Sequence, residues 1–579
     1  MQKYFYNTFL SCLIGLFTLF LVSSLGFIFN FSINPSYFYI SILVSILILV
    51  IKSKTYDEFI KQFFIIFIIF ISSFIISNAF IDVSWDGRFY HYTTALLLKL
   101  GWNPIYDNIY SFAPKVGIFH NYPWIESYPK FTEIIMANLY SLKISSMDSI
   151  KQINFILMAI SFMYSYWVLS LAFFEKKSKL FNFFTSFLLV YNPIVICQIL
   201  TLCNDLILYF NFLILILTII YIEKTKNKNE ITLQNKNFHN IEIWTIFIIS
   251  SIFLASTKFT GALYLAIIYF CYFIYLIILK SKLKSFILSI LITSITLFIT
   301  NINPYITNII NHSHPFYPVF GQEKFDLMAN SFPNGFNNKN RFYKFFISTF
   351  SQSDNILKKH TQKKATLKIP FTIKADKPFF TESMRIAGFG YFFSGILLLS
   401  IFFSFGLKFN NKNNKYLLLL IISIITLTIL SNPESWWARF IPQFWILPIF
   451  IVYFSFIEDN KLLTPNKFIK ASILYITLLI IFINSFIVNY QNLISSINYS
   501  STFFEYYSTF NKIYPKGIEL YQDQHFYIEV DETVIPRLKE FNVKYELIDD
   551  NSFTKNKSEF VLFNKTLSIG PHYFWRPKK

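Results

Sequence analysis

The string FIDVSWDGRFYHYTTALLL sets Asp82, Asp86, Arg88 and His91 within ten residues, directly after a long apolar run. A carboxylate can take the proton of an attacking hydroxyl, and cations can hold a departing phosphate. Ionisable groups near membrane depth are costly, so those found there are functional suspects. The same residue types recur at the ends of other apolar runs: Asn204 and Asp205, Lys258, His312 and His314, Glu434 and Arg439. Each also has a plain structural reading. Asp205 can cap the next helix, and Lys258 can snorkel to an interface. Arg439 can anchor beside Trp436 and Trp437 in an aromatic belt. The two histidines can be ordinary loop residues, because a His-x-His pair without further ligands is a weak metal signal. No metal is assigned.

The elements that must position these residues are apolar runs. The chain has 579 residues, 54% of them hydrophobic, and a mean hydropathy of +0.46. The bulk excess over soluble domains is modest; its arrangement decides the class. Runs at 8–30, 36–51, 62–81, 153–174, 180–200, 205–222, 242–257, 259–279, 285–302, 386–406, 416–431, 440–457 and 469–488 are each about long enough to cross a hydrocarbon core. Backbone amides in lipid must be paired internally, so such runs are helices. The expected fold class is an all-α polytopic membrane protein of about thirteen transmembrane helices. The first run is too long for a signal-peptide core and lacks a small-x-small cleavage site, so it is read as a retained helix.

Lysine placement orients the bundle. With the N-terminus inside, the loops 51–61, 175–179, 223–237, 280–284, 407–415 and 458–470 all fall on the cytoplasmic side, and all are lysine-rich. The short turns on the other side carry almost none. All the suspect residues named above fall on that outer face. Three hydrophilic regions do too: 82–152, 303–385, and the tail beyond the last span. Within the first, TTALLLKLGW and YPKFTEIIMANLYSL read as amphipathic helices lying at the interface. The tail mixes strand and helix patterns and reads as a small α/β extension. The domain division is therefore a membrane domain over 1–488 and a non-cytoplasmic domain over 489–579.

The formal charge of +19 does not imply nucleic acid, because the basic residues fall in short clusters between apolar runs. Four cysteines make no disulfide framework. Cys197 and Cys203 read as buried free thiols.

These strings resemble the GT-C superfamily of polytopic glycosyltransferases, which includes protein O-mannosyltransferases and the lipid A aminoarabinose transferase. WDGRFYH is similar to the acidic motif that opens the family's first external loop, with Asp86 at the acidic position, then Arg88 and Tyr90. Gly87 stands where a second acid often sits, and Asp82 or Glu126 is the substitute. NYPWIESYPKFTEIIMANLY, with Glu126, Lys130 and Glu133, resembles the proline-rich loop and helix that follow. The turn at Asn204 and Asp205, the string FLASTKFTGALYLAI around Lys258, HSHPFYPVFG with His314, and NPESWWARFIPQFW with Arg439 and Pro442 resemble later family strings in the same order. The resemblance covers about residues 60–460.

The resemblance implies a GT-C-like bundle and transfer of a sugar from a polyprenyl-phosphate donor to a cell-envelope or protein acceptor, with inversion. Asp86 or Asp82 would be the base, and Lys258, Arg439 and Arg88 would bind the donor phosphate. Tyr90, His91, Glu126, Asp205 and His314 complete the candidate site. No cofactor is expected. The partners are membrane lipids and the lipid-linked donor, with no nucleic acid. The expected location is a bacterial inner membrane with the C-terminus periplasmic. Two other classes stay open. An O-antigen polymerase or ligase would rely on loop residues such as Arg341, His360 and Arg385. A lipid flippase or transporter would place charges at mid-bilayer.

Overall fold

The computed structural model describes residues 2–577 apart from 119–120, 143–145, 173–177, 226–232, 280–281, 326–331, 337, 353–364, 374–379, 464–465, 523–532, 548–560 and 563–572. His360 lies outside the described residues. Among those described, ten helices are long and apolar enough to cross a membrane, and three shorter apolar helices accompany them. The thirteen match the expected runs one for one. The chain is an all-α polytopic membrane protein with a small α/β extension.

Local chemistry sets the helix boundaries. Pro35 opens the helix Pro35–Lys52, and the Asn34 side chain accepts from the Ser36 amide at 2.9 Å, a cap followed by the proline that tolerates a missing N–H. Thr55 caps Tyr56–Ala79, its hydroxyl accepting from the Glu58 amide at 3.2 Å. The run at 180–200 is broken. It forms Lys179–Val190, then Pro193–Gln198, because Pro193 cannot continue the hydrogen-bond ladder and disfavours helix at Asn192. Asn192 caps the second piece and donates to the Pro442 carbonyl at 2.9 Å. The run at 386–406 becomes helical only at Phe393, after a turn with Gly390 at φ +103°. The final run is much longer than one span. Lys467–Ile513 is a single helix of 47 residues that continues unbroken through position 488.

Burial grades the bundle from centre to edge. In Asp205–Lys224 every residue from Asp205 to Ile222 is buried, so this helix is the central post. Pro35–Lys52 and Tyr56–Ala79 instead expose large apolar side chains such as Leu43, Ile51, Phe64 and Ile75, as lipid-facing helices do. The two helices read as interfacial are not. Tyr92–Lys99 and Phe131–Tyr140 are packed inside protein, with nine of the ten residues of the second buried. The Phe131 ring lies 4.2 Å from Phe253 and 5.2 Å from Phe20, and Asn138 donates to the Ser23 hydroxyl at 2.9 Å. Their polar positions satisfy protein partners rather than headgroups.

Lysine-bearing helix ends gather at one end of the bundle. Lys3 pairs with Glu58 at 2.6 Å, Lys52 pairs with Glu242, and Tyr272 donates to Glu223 at 2.8 Å. An exposed pair such as the first contributes little to stability, so these contacts mark polarity more than they hold the fold. The C-terminal extension carries a four-stranded sheet in the spatial order Tyr545–Leu547, Ile518–Gln522, Tyr573–Pro577, Val561–Leu562. Its first pair is parallel, with Ile518 opposite Tyr545, and the helix Val534–Glu540 lies in the connection. Parallel neighbours require such a crossover.

Candidate active site

The suspect residues come from four separate stretches of chain. Asp205 heads the central helix, and Lys258 sits at the break between Leu233–Thr257 and Phe259–Ile278. Arg439 lies in the short turn Ala438–Phe440 before the helix Ile446–Ile457. Asp86 precedes a π-helical turn, Gly87–His91, a distortion frequent at functional sites.

At the opposite end from the lysine clusters, these four meet. Lys258 Nζ donates to Asp205 Oδ1 at 2.7 Å. Arg439 Nε lies 3.0 Å from Asp205 Oδ2, and Arg439 Nη2 donates to Asp86. Two cations and two carboxylates thus form one chain of ion pairs with Asp205 shared. Neither carboxylate oxygen of Asp205 turns back to cap its own helix. Arg439 is 8% exposed, so it faces protein and not headgroups. Its backbone is pinned as well: the amides of Ala438 and Arg439 donate to the carbonyls of Arg385 and Met384, both at 3.0 Å.

Asp82 sits beside this chain and is spent on structure. Its Oδ1 accepts from the Ser84 amide and hydroxyl, both at 2.7 Å, and its Oδ2 from the Leu202 amide at 2.8 Å. It joins the acidic loop to the turn that leads into Asp205. Burial pushes its carboxyl above the ordinary aspartate range, opposed by Lys151 and these hydrogen bonds.

His91 closes the π turn and is buried against Glu133, with Nδ1 2.5 Å from Glu133 Oε1. Asn204 donates to the same oxygen at 3.0 Å. A ring nitrogen fixed by a carboxylate determines which face of the imidazole stays available. The Tyr90 ring packs at tilted angles against His91, Trp124 and Tyr128. Arg88 Nε donates to the Ser84 carbonyl at 3.3 Å.

Other residues named from sequence lie elsewhere. Glu126 is on the rim, where burial raises its carboxyl pKa against the pull of Lys130 and His312. His314 serves its own turn, its Nδ1 accepting from the Phe316 amide at 3.1 Å. Glu434 accepts from the indole of Trp436 at 2.5 Å. Arg385 is buried under Trp436 and Trp437, 5.7 and 5.1 Å from the ring centres, while Arg341 is exposed. Cys197 and Cys203 are buried free thiols.

Two residues enter without having been singled out. Gln198 donates to the Glu382 carbonyl at 3.1 Å and reaches Asp205 Oδ2 at 3.5 Å. Glu382 comes from the hydrophilic region 303–385, near Asp82, Arg439 and Arg88. Burial raises its carboxyl to about 7, with Asp82 adding to the rise and the two arginines opposing it. Lys130 is another buried cation, held by the carbonyls of Glu126 and Tyr128 at 2.6 and 2.9 Å and by Asn303 Oδ1 at 2.5 Å. Burial lowers its pKa to about 7. No group of three or more metal-ligating side chains occurs among the described residues.

No family model matches the chain, and no curated protein matches it. Among solved structures it is similar to ArnT from Cupriavidus metallidurans bound to undecaprenyl phosphate. The TM-score is 0.47 at 10% identity, over 88% of this chain and 96% of that one. It is similar to the apo state of the same protein with a TM-score of 0.43 at 9% identity, over 88% and 97%. At this level the likeness is one of chain course, and the chemistry rests on this chain's own residues.

Proposed function

We propose that this chain is a glycosyltransferase that moves a sugar from a polyprenyl-phosphate carrier to an acceptor hydroxyl on the non-cytoplasmic face. The observation that carries the reading is the joint hold of Lys258 and Arg439 on Asp205, with Asp86 on the same guanidinium. A departing lipid phosphate needs cations rather than a general acid, and arginine offers two parallel donors to it. Stabilising charge that grows in a water-poor site is often the largest catalytic term. Asp86 is the proton acceptor for the attacking hydroxyl, through the oxygen that Arg439 does not hold. Asp82 stands behind it as a support. The oxygen of the acceptor attacks the anomeric carbon as the carbon–phosphate oxygen bond breaks, and the configuration inverts. Charges at span ends rather than at mid-depth support transfer chemistry over a transport route.

The acceptor belongs to the cell envelope or is a protein. The membrane is a bacterial inner membrane, with the N-terminus cytoplasmic and the C-terminus periplasmic. The test uses the full chain in lipid vesicles with polyprenyl-phosphate sugars, measuring release of polyprenyl phosphate. Asp86→Asn keeps the shape and removes the proton acceptor, and turnover should fall by about 10²-fold or more. Full turnover in that variant would overturn the assignment of Asp86. No release from any donor by the unaltered chain would overturn the reaction.

A further inference from the structure

We propose that Arg537, in the C-terminal extension, is a positioning residue that holds the acidic loop in register with the ion-pair chain. The inference rests on the reading above for its catalytic meaning, but the contact itself stands on geometry.

The helix Val534–Glu540 carries Arg537 into the bundle, where it is 2% exposed. Its guanidinium meets Asp148 with Nη1 at 2.8 Å from Oδ2 and Nη2 at 3.5 Å from Oδ1. Asp148 is a junction. Its Oδ1 also accepts from Lys151 Nζ at 2.6 Å and from the backbone amide of Asp82 at 3.2 Å. Lys151 Nζ in turn holds the Phe80 carbonyl at 2.6 Å. The Ile81 amide donates to the Ser500 hydroxyl at 3.0 Å. The Ile81 side chain is buried with Phe503, Tyr507, Ile518, Val534, Leu538 and Val543, a cluster separate from the main core.

Ile81 is therefore fastened to the extension, Asp82 to the carboxylate that the extension neutralises, and Phe80 to Lys151, the other cation on that carboxylate. The next links lead to the site. The Asp82 side chain ties to the Leu202 amide, and Asp205 lies three residues further on. Asp86 lies four residues beyond Asp82, just before the π turn.

Charge explains why an arginine is needed. Burial alone would raise the Asp148 carboxyl, but Arg537 and Lys151 bring it down to about 2. Asp148 thus stays ionised and keeps accepting from the Asp82 amide across the whole working pH range. Without Arg537 the buried Asp148 carboxylate would keep one cation, Lys151, which also answers to Asp82. Breaking a buried pair by removing one partner is strongly destabilising, far more than losing an exposed pair. The cheapest relief is movement of the loop that carries Asp82, and Asp86 moves with it. Lys258 and Arg439 belong to other segments and keep their places.

The test compares the full chain with Arg537→Met and Arg537→Lys in lipid vesicles. One readout is hydrogen exchange of the amides at 80–88, and the other is turnover set against binding of undecaprenyl phosphate. Arg537→Met should raise exchange at 80–88 and lower kcat by 10-fold or more per folded molecule, with lipid-phosphate binding changed by less than 3-fold. Arg537→Lys should recover part of kcat. If Arg537→Met does not fold, the lysine variant carries the test through intermediate exchange and intermediate kcat. Unchanged exchange at 80–88 in a folded variant overturns the proposal. So does a loss of abundance with activity per folded molecule intact, which is what a merely structural pair predicts. If the unaltered chain releases no polyprenyl phosphate, the reaction assignment fails, and the exchange result still decides the contact.

Discussion

The carboxylate of Asp82 occupies the space that a side chain on Gly87 would need. A Cβ built on Gly87 runs into Asp82 Oδ2 and Ser84 Oγ. The Gly87 amide also donates to Ser84 Oγ at 3.1 Å, so the contact is tight and ordered. The acid at 82 and the absence of one at 87 are two sides of one packing choice, since Asp82 is itself pinned by three donors.

Gly87→Ala should therefore displace a fixed carboxylate rather than a free side chain. We expect it to destabilise the fold by ~1–3 kcal/mol, the usual overpacking cost, and to lower activity. Asp82→Gly combined with Gly87→Asp restores one acid in the vacated space and should recover part of the loss seen in Gly87→Asp alone. Thermal melting and turnover of the two singles and the double check this. A double variant no better than Gly87→Asp would show that the two positions do not share space.

Lys258 and Arg439 should behave as one unit, because Asp205 lies between them. Lys258→Met and Arg439→Gln are each expected to reduce turnover by 10-fold or more. The double variant should fall well short of the product of the two losses, as groups acting together are not additive. Arg439→Lys should stay impaired, since an ammonium cannot bridge two carboxylates as a planar fork does. Independent, small effects confined to abundance would return both residues to a role at the lipid interface.

Glu382 gives the site a titration near neutrality. Its carboxyl is raised to about 7, first by burial, so the folded protein keeps a proton there that the unfolded chain has already lost. The unfolded chain releases that proton near 4.5, and stability from this group is complete below that pH. The contribution shrinks as pH rises and is gone above about 7, where a new negative charge appears near Arg439 and Arg88. Glu382→Gln should flatten the pH dependence of melting between about 5 and 8 and raise the pH limit of lipid-phosphate binding. An unchanged melting profile in the variant would remove Glu382 as the titrating group.

Orientation follows from the lysine pattern. Reporter fusions near residues 228 and 410 should report cytoplasm, and a fusion at 579 the opposite face. A cytoplasmic signal at 579 would mean that the span count is wrong by one.

Much of the site was legible because each key residue ends an apolar run. Asp86, Asp205, Lys258 and Arg439 stand out against Leu, Ile and Phe, and lysine counts alone put them at one end. Pairing was not legible, since contacts such as Arg439 with Asp86 span 353 positions. Glu382 and Gln198 escaped notice for different reasons. The first lies in a polar loop without periodicity, and the second reads as part of a continuous helix until Pro193 breaks it. The long last helix was expected to end at 488, where the apolar run gives way to polar residues, yet Ser496 and Ser500 beyond it are buried. Packing overrides a weak propensity there.

The ion-pair chain has a consequence for the order of events. Lys258, Arg439, Asp86 and Asp205 sum to zero net charge, so the resting site is an ion exchanger already loaded with its own counterions. An incoming anion can take Arg439 only by trading places with a carboxylate. The carboxylate on the outer end of the chain is Asp86, while Asp205 is held from two sides. In the proposed reaction, arrival of the anion and release of Asp86 from Arg439 are then the same event: the carboxylate gains its second free oxygen, and with it more accepting power, as the leaving group is seated.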